Sequence, residues 1–270
     1  PETHGWHLYT NAAVGVWFGQ FVLPDWDMFW SHHECGEYHA AARAISGGPV
    51  YVSDKPGQHD VGVLRKLVLH DGTVPRCQDV GRLTPDCLFA NPTRDPVALK
   101  IFNFNRGSAV VGVFNAQYHA EEKQRVTVRA AVSPADVPGF EGQSFVVYAH
   151  RSRQLRRMRK EDRWFVRLPE RGWELFTMAP IEKGVAVIGL AEKYNSGGTI
   201  AGNRWADGRR LEVDVRDGGE LLIWAEQPPT SVHVEGNPCR CRYDKRSRAL
   251  RVNLTKPGAQ TVVVEFASSD

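Results

Sequence analysis

Residues 14–29, VGVWFGQFVLPDWDMF, combine an apolar run with two carboxylates. The run Val14–Leu23 contains three aromatic residues and ends at Pro24, a pattern typical of a buried strand. Asp25 and Asp27 follow directly, and on an extended backbone side chains two residues apart point to the same side. Because ligands bind at the carboxyl ends of the strands in parallel α/β architectures, this segment predicts a binding site.

A helix, a second strand and a second helix are predicted after this segment. Apolar side chains spaced three and four residues apart indicate a helix over about Glu34–Ser46, ended by two glycines. Pro49–Ser53 is predicted to be a second buried strand, and apolar residues from Val61 to Val68 indicate a second helix. This alternation implies two parallel strands joined by a right-handed crossover.

Short runs rich in Val, Phe and Trp follow residue 72, separated by Gly, Pro, Asn and Asp. Turns at intervals of roughly 8–15 residues are typical of an antiparallel β-sandwich. The predicted strands are Leu99–Phe104, Val110–Asn115, Arg125–Val132, Phe145–His150, Trp164–Leu168, Trp173–Met178, Val185–Leu190, Arg210–Val215, Glu220–Trp224, Leu250–Leu254 and Thr261–Phe266. We therefore expect residues 76–270 to form an antiparallel β-sandwich domain.

Residues 1–75 are too short to be a complete α/β domain. Two βα units do not close a (β/α)8 barrel, which takes eight strands and about 250 residues. This part is therefore either a small α/β subdomain or the tail of a larger barrel. We favour the second, the C-terminal end of such a barrel, comprising its last two strands and helices.

Composition excludes several classes of protein. Of the 270 residues, 42% are hydrophobic and 24% are charged, which is typical of a folded soluble protein. The net charge of +3 is too small to require a nucleic-acid or membrane partner, and no run approaches the roughly 18 apolar residues of a membrane span. Five cysteines form no disulfide framework. With no signal peptide visible, we expect reduced thiols and a cytoplasmic location.

The segment around Asp27 carries the strongest candidate site residues. Asp25 and Asp27, with Cα atoms about 7 Å apart, could be a glycosidase pair, and the aromatic ring of Trp26 suits the face of a sugar. Alternatively, one aspartate caps the next helix and the other is solvated. Ser53 and Asp54 follow the second predicted strand at the same edge, although Ser53 could instead cap a helix.

Two other polar clusters are assigned to solvated surfaces. One consists of His32, His33, Glu37 and His39. These residues lack the spacing of a metal-binding motif, and a solvated start of the predicted helix explains them better. The other, residues 151–163, has a local charge of +5. A hairpin with a basic exposed face is favoured there over a nucleic-acid patch.

Several longer motifs occur between residues 24 and 115. They are Pro24–Phe29 (PDWDMF), Glu37–Ile45 (EYHAAARAI), Val50–Asp60 (VYVSDKPGQHD), Lys66–Leu69 (KLVL), Gly81–Phe89 (GRLTPDCLF), Leu99–Asn105 (LKIFNFN) and Gly112–Asn115 (GVFN). In this order they resemble the raffinose synthase and seed imbibition protein family, which groups with the α-galactosidases of glycoside hydrolase family thirty-six. A weaker likeness reappears at Tyr194–Gly198.

The resemblance implies a (β/α)8 barrel followed by a C-terminal β-sandwich, with retaining chemistry on α-galactosides. A carboxylate nucleophile would form a galactosyl-enzyme, which water or a sugar hydroxyl such as that of sucrose would resolve. The implied substrates are raffinose-family oligosaccharides and galactinol. The family pattern implies no cofactor, metal, nucleic acid or membrane.

The resemblance also assigns roles to parts of the chain. Val14–Leu23 corresponds to the seventh barrel strand and Pro49–Ser53 to the eighth, so both catalytic carboxylates are expected upstream of Pro1, in an N-terminal barrel part. This chain alone is then predicted to be inactive. Asp27 and Met28 match an Asp-Met pair that lines the sugar pocket in related α-galactosidases. The implied substrate-binding residues are Asp25, Trp26, Asp27, Met28, Ser53 and Asp54, with Asp27 accepting hydrogen bonds from galactose and Trp26 forming an apolar wall.

The main alternative is a non-catalytic carbohydrate-binding β-sandwich protein with a small α/β cap. In that case exposed tryptophans would bind the sugar. The sequence departs from the family pattern at Pro85, where the family has Arg, and at residues 116–119. It does not distinguish hydrolysis from galactosyl transfer.

Overall fold

The structure is a computed structural model that describes residues 3–267. Within this range the helices are α1 (Thr3–Phe18), α2 (Gly36–Ala44) and α3 (Val61–Arg65). The strands are β1 (Arg82–Leu83), β2 (Leu99–Asn105), β3 (Ser108–Phe114), β4 (Val128–Val132), β5 (Ser144–Ala149), β6 (Gln154–Arg159), β7 (Trp164–Leu168), β8 (Trp173–Pro180), β9 (Val185–Leu190), β10 (Ile200–Trp205), β11 (Arg210–Val215), β12 (Gly219–Ala225), β13 (Ser231–Val234), β14 (Asn237–Pro238), β15 (Cys241–Asp244), β16 (Ala249–Leu254) and β17 (Gln260–Glu265).

The first helix contradicts the predicted strand Val14–Leu23. The buried residues of α1 recur at three- and four-residue spacing and are Gly5, Leu8, Ala12 and Gly15. Much of the apolar run is exposed, including Trp17 at 69% and Phe21 at 62%. A continuous apolar run has no period that distinguishes a buried strand from a helix, which is why the prediction was wrong.

The second predicted strand, Pro49–Ser53, is reduced to one parallel bridge between Val52 and Phe29. The backbone N–H of Ser53 donates to the carbonyl oxygen of Phe29 at 3.0 Å. The segment that contacts Val52, around Phe29, therefore comes after the predicted strand Val14–Leu23 in the chain. The predicted pairing of Val14–Leu23 with Pro49–Ser53 is therefore wrong, because Phe29 makes the parallel contact instead, and neither segment forms a regular strand. The helix predicted over Glu34–Ser46 is confirmed by α2, and the next one is shorter than predicted.

A six-stranded sheet in the order β1-β2-β3-β8-β5-β6 carries the helices on one face. Leu99 and Ile101 of β2 pack into the helical core, whereas Phe102 packs against the two-stranded sheet of β4 and β7 on the other face. Because successive side chains of a strand point to opposite faces, the central strands are buried on both sides.

Two further sheets enclose a third core, mainly of Val, Leu and Ile side chains. One has five strands in the order β10-β11-β17-β13-β14, and the other has four in the order β15-β16-β12-β9. A fourth cluster joins β5 and β8 to the four-stranded sheet. The predicted antiparallel pairing is confirmed, but the strands form two successive pairs of packed sheets instead of a single sandwich.

The predicted strands after residue 98 all coincide with strands of the structure, although Arg125–Val132 is shortened to β4. Strands β1, β6, β10, β13, β14 and β15 were missed. Strand β6 lies at the edge of its sheet, and most of its side chains are exposed. Four of its six residues are Arg or another polar residue, so its sequence shows no regular alternation of apolar side chains.

The Tyr194–Gly198 motif joins the helical part to the sheets. The backbone N–H of Tyr194 donates to the carbonyl of Lys66 at 3.1 Å. The side-chain amide of Asn195 donates to the carbonyl of Pro75 at 2.7 Å and pairs with the amide of Asn105. Asn195 is 1% exposed, so these partners replace the water that its polar atoms lose on folding.

The basic residues 151–163 form β6 and its flanking turns at a sheet edge, and most of these side chains are exposed, as predicted. Several of the arginines have partners within the chain. Arg157 pairs with Glu226 at 2.9 Å, and the guanidinium of Arg156 lies 4.0 Å from the ring centroid of Trp164.

All five cysteines are free thiols. None of the helices within residues 3–267 is both long and apolar enough to cross a bilayer.

Candidate active site

A cavity of about 360 Å³ lies beside the parallel segments that contain Phe29 and Val52. Three of the predicted site residues line it: Asp27, Met28 and Ser53. Further lining residues come from α1, the loop after Phe29 and α2, and they include His4, His7, Trp30, His33, His39 and Arg43. The cavity thus combines one carboxylate with imidazole rings and a guanidinium.

Asp27 is held in a left-handed backbone conformation, with φ at +62°. Aspartate tolerates this region because its short side chain bonds to nearby backbone groups. The N–H of Asp27 donates to Oδ1 of Asp25 at 2.8 Å, and Oδ1 of Asp27 accepts from the N–H of Met28 at 2.8 Å. Among the described residues no hydrogen bond engages Oδ2 of Asp27, so this oxygen is available to a ligand.

Arg43 of α2 is a buried cation, 1% exposed, that holds the backbone on which Asp27 lies. Its Nη2 donates to the carbonyl of Trp26 at 2.8 Å and its Nε to the carbonyl of Asp27 at 3.2 Å. Its Nη1 donates to Nδ1 of His39 at 2.9 Å. Burial lowers the pKa of Arg43 to about 10 against the opposing effect of Asp27, so the guanidinium stays charged at neutral pH.

Trp26 contradicts the prediction of a sugar-facing wall, because its side chain is fully buried in the helical core. Packing this large side chain into the core removes its apolar surface from water. Trp30 provides an exposed aromatic ring instead. It is 54% exposed and lines the cavity, and its Nε1 donates to the carbonyl of Ser53 at 2.8 Å.

Asp25 and Asp54 lie next to the cavity-lining residues but bond to the protein itself. Oδ2 of Asp25 accepts from the hydroxyl of Tyr51 at 2.7 Å, which links the two parallel segments. The carboxylate of Asp54 accepts from the N–H groups of Ser31 and His32, each at 3.2 Å. In the described part of the chain both carboxylates therefore act as loop anchors.

Two of the four residues that were assigned to a solvated helix start, His33 and His39, lie at this cavity, which corrects that interpretation for these two, whereas His32 is exposed and does not line the cavity. His33 and His39 line it together with His4 and His7 of α1. Nδ1 of His4 lies 2.6 Å from Nε2 of His39. The sequence carried a partial signal, because His39 and Arg43 are four residues apart on one face of a helix. It did not show that α1 would meet that face.

A larger cavity, of about 590 Å³, lies between residues 65–72 and the loops of the last two sheets. Its buried carboxylate, Asp217, accepts from three backbone N–H groups and pairs with His70 at 2.9 Å. Its Lys193 ammonium donates to two backbone carbonyls. Since these charged groups are engaged by the protein itself, the cavity at Asp27 is the better candidate for chemistry.

Comparison with known proteins establishes the family. The model described as raffinose synthase or seed imbibition protein Sip1 matches residues 2–254. The chain belongs to this family, as its motifs predicted.

Curated relatives agree with this assignment. The chain is 39% identical to the galactinol–sucrose galactosyltransferase of Oryza sativa subsp. japonica, with 97% of this chain and 37% of the relative covered. It is 36% identical to the galactinol–sucrose galactosyltransferase of Pisum sativum, with 97% of this chain and 36% of the relative covered. It is 34% identical to the stachyose synthase of Pisum sativum, covering 86% and 30%. The chain thus spans 30–37% of the length of these relatives.

Solved structures show weaker likeness. A Bacillus halodurans C-125 structure, provisionally named an α-N-acetylgalactosaminidase, matches with a TM-score of 0.46 and 14% identity over 67% of this chain and 45% of its own. A Bacteroides fragilis structure, provisionally named an α-galactosidase, matches with a TM-score of 0.44 and 10% identity over 65% and 38%.

Proposed function

We propose that this chain is the C-terminal part of a retaining enzyme that processes α-galactosides. The observation that carries the proposal is the cavity at Asp27 in a chain whose family relatives are named galactinol–sucrose galactosyltransferase and stachyose synthase. The parallel bridge between Phe29 and Val52 supports the view that these segments are the last two strands of a (β/α)8 barrel.

Within this cavity Asp27 accepts hydrogen bonds from galactosyl hydroxyls through Oδ2. Met28 and Trp30, both about half exposed, supply apolar surface for the carbon face of the sugar. Ser53 lies at the rim of the cavity. The acceptor of the galactosyl group is either water or a sugar hydroxyl such as that of sucrose.

The nucleophile and the acid/base come from another part of the protein. A retaining glycosidase needs two carboxyl groups about 5–5.5 Å apart. Among residues 3–267, Asp27 is the only carboxylate that lines the cavity. We therefore assign both catalytic carboxylates to the portion that the longer relatives have and this chain does not span, and we expect this chain alone to be inactive.

The exposed apolar side chains of α1 and of the segment after it support the proposal that a further barrel part of the same protein packs against this surface. Trp17, Phe18 and Phe21 are between 46% and 69% exposed. Contiguous apolar surface of this kind marks an interaction site in soluble proteins. We assign this face to contact with the remaining barrel strands and helices, in a cytoplasmic enzyme.

The test is galactose binding to this chain, measured by calorimetry or ligand-observed NMR. Asp27→Asn removes a charged acceptor and is expected to weaken binding about tenfold or more. Asp71→Asn, at an exposed aspartate outside the cavity, is the matched control and is expected to bind as the wild type does. Equal binding by wild type and Asp27→Asn would contradict the assignment.

The catalytic part of the proposal is tested with raffinose and galactinol as substrates. This chain is expected to release no galactose, whereas a longer protein that includes the upstream portion is expected to be active. Galactose release by this chain alone would show that the catalytic carboxylates lie within it.

A further inference from the structure

Arg43 sets the direction of a series of hydrogen bonds that ends at the cavity. A guanidinium has donors only, so Nδ1 of His39, 2.9 Å from Nη1 of Arg43, is an acceptor. A neutral imidazole carries one proton, and His39 therefore carries it on Nε2. Burial, together with the charge of Arg43, lowers the pKa of His39 to about 2, which keeps the ring neutral.

His4 is the next member of the series. Its Nδ1 lies 2.6 Å from Nε2 of His39. Because that nitrogen of His39 bears the proton, Nδ1 of His4 accepts, and neutral His4 carries its own proton on Nε2. Burial, followed by the proximity of His33, lowers the pKa of His4 to about 4. Since His4 lines the cavity, its Nε2–H is the group left for a ligand.

His33 is fixed in the same tautomer by a different contact. The backbone N–H of Cys35 donates to Nδ1 of His33 at 3.0 Å, which leaves the ring proton on Nε2. His4 and His33 therefore each offer the cavity an imidazole N–H donor, and Asp27 offers it a carboxylate acceptor. Sugar hydroxyls match such a surface because each one both donates and accepts.

We propose that His4 and His33 form the donor side of the sugar site, with their Nε2–H groups donating to galactosyl oxygens while Asp27 accepts from galactosyl hydroxyls. The identity of the sugar rests on the proposed function, whereas the tautomers rest on the hydrogen bonds alone. Arg43 and His39 are positioning residues, because they act through His4.

A metal ion is the competing occupant. One potential ligand atom each from His4, His33 and Cys35 lies within 4.8 Å of the others. Ligation by Nδ1 of His4 would break its bond with His39. Ligation by Nε2 would move the His4 proton to Nδ1, where it would face the proton of His39. Burial also raises the pKa of the Cys35 thiol, whereas zinc binds the thiolate. The hydrogen bonds therefore favour an oxygen ligand.

The tautomers are tested by NMR of this chain with ¹⁵N-labelled histidine at neutral pH. We expect the Nε2–H tautomer for His4, His33 and His39. His39→Leu is expected to release His4 into a mixture of tautomers, whereas His59→Leu, at an exposed histidine, is the matched control and leaves it unchanged. A wild-type His4 protonated on Nδ1 would overturn the assignment.

The donor role is tested by galactose titration. His4→Phe is expected to weaken binding about three- to tenfold, the effect of one neutral hydrogen bond, and His4→Gln, which keeps an N–H donor, is expected to recover part of the loss. Equal binding by wild type and His4→Phe would refute the donor role. No galactose binding by the wild type would refute the proposed function and the sugar contact with it, while the NMR measurement still decides the tautomers. A Co²⁺ thiolate absorption band that Cys35→Ser abolishes would replace this proposal with a metal site.

Discussion

Lowering the pH from 7 to 5 is expected to destabilise the protein by about 2 kcal/mol through His150 alone. This imidazole is 7% exposed and lies among aromatic rings, with centroid distances of 6.4 Å to Trp173 and 5.2 Å to Tyr194. Its Nδ1 has no hydrogen-bond partner among residues 3–267. Burial, followed by the positive charge of Lys66, lowers the pKa of His150 to about 4.

The direction and size of the effect follow from proton binding at His150. The unfolded chain takes up the proton near the ordinary pKa of 6.5, whereas the native chain does so only near 4. Between these values the unfolded state binds more protons, so the free energy of unfolding falls as the pH falls. Each pH unit corresponds to about 1.36 kcal/mol, and the interval from 6.5 to 5 therefore to about 2 kcal/mol.

The assay is urea unfolding of wild type and His150→Phe at pH 7 and pH 5. Phenylalanine keeps an aromatic ring in the site and has no group that titrates. The wild type is expected to lose about 2 kcal/mol more than the variant between the two pH values. His59→Phe, at an exposed position, is the control and is expected to lose as much as the wild type. Equal losses in wild type and His150→Phe would refute the reasoning.

Two further substitutions test the packing of the site and of the sheets. Arg43→Met leaves the carbonyls of the Asp27 segment without their donor, and we expect it to lower the free energy of unfolding by about 2–4 kcal/mol. Arg65→Met, at an exposed arginine, is the control and is expected to change this free energy little. Comparable urea midpoints for the two variants would contradict the role of Arg43. Gly189→Ala places a methyl group 2.0 Å from the carbonyl oxygen of Ser196 at a φ of +111°, so we expect a loss of about 3 kcal/mol or more. Gly202→Ala serves as the control, because a methyl group there meets nothing within 4 Å. A similarly small loss of stability in thermal unfolding for both glycine variants would argue against the close approach of Gly189 to Ser196.

Local sequence patterns predicted the strands well where apolar side chains are buried between turn residues. Trp164–Leu168, Val185–Leu190 and Arg210–Val215 begin and end where they were predicted. Runs of Val, Leu and Trp between turn residues have few other ways to bury their apolar surface. The edge strand β6 was missed because its basic side chains remain in solvent, so no burial pattern records its pairing.

The candidate site was predicted only in part. Asp27, Met28 and Ser53 line the cavity, in agreement with their place at the ends of two parallel segments. The aromatic wall was assigned to Trp26, but the helical core buries this side chain completely, and the local sequence does not show which of the neighbouring tryptophans the core takes up. Trp30, four residues later, is the exposed ring.

By itself the sequence determined the family and most of the antiparallel strands. These depend on motifs and on periodicities that neighbouring residues carry. The tertiary structure alone decided that residues 14–18 are helical and that α1 brings His4 to His39 and His7 to Arg43. Contacts between residues 35 or more positions apart depend on how helices pack, and no local pattern of side chains records that packing.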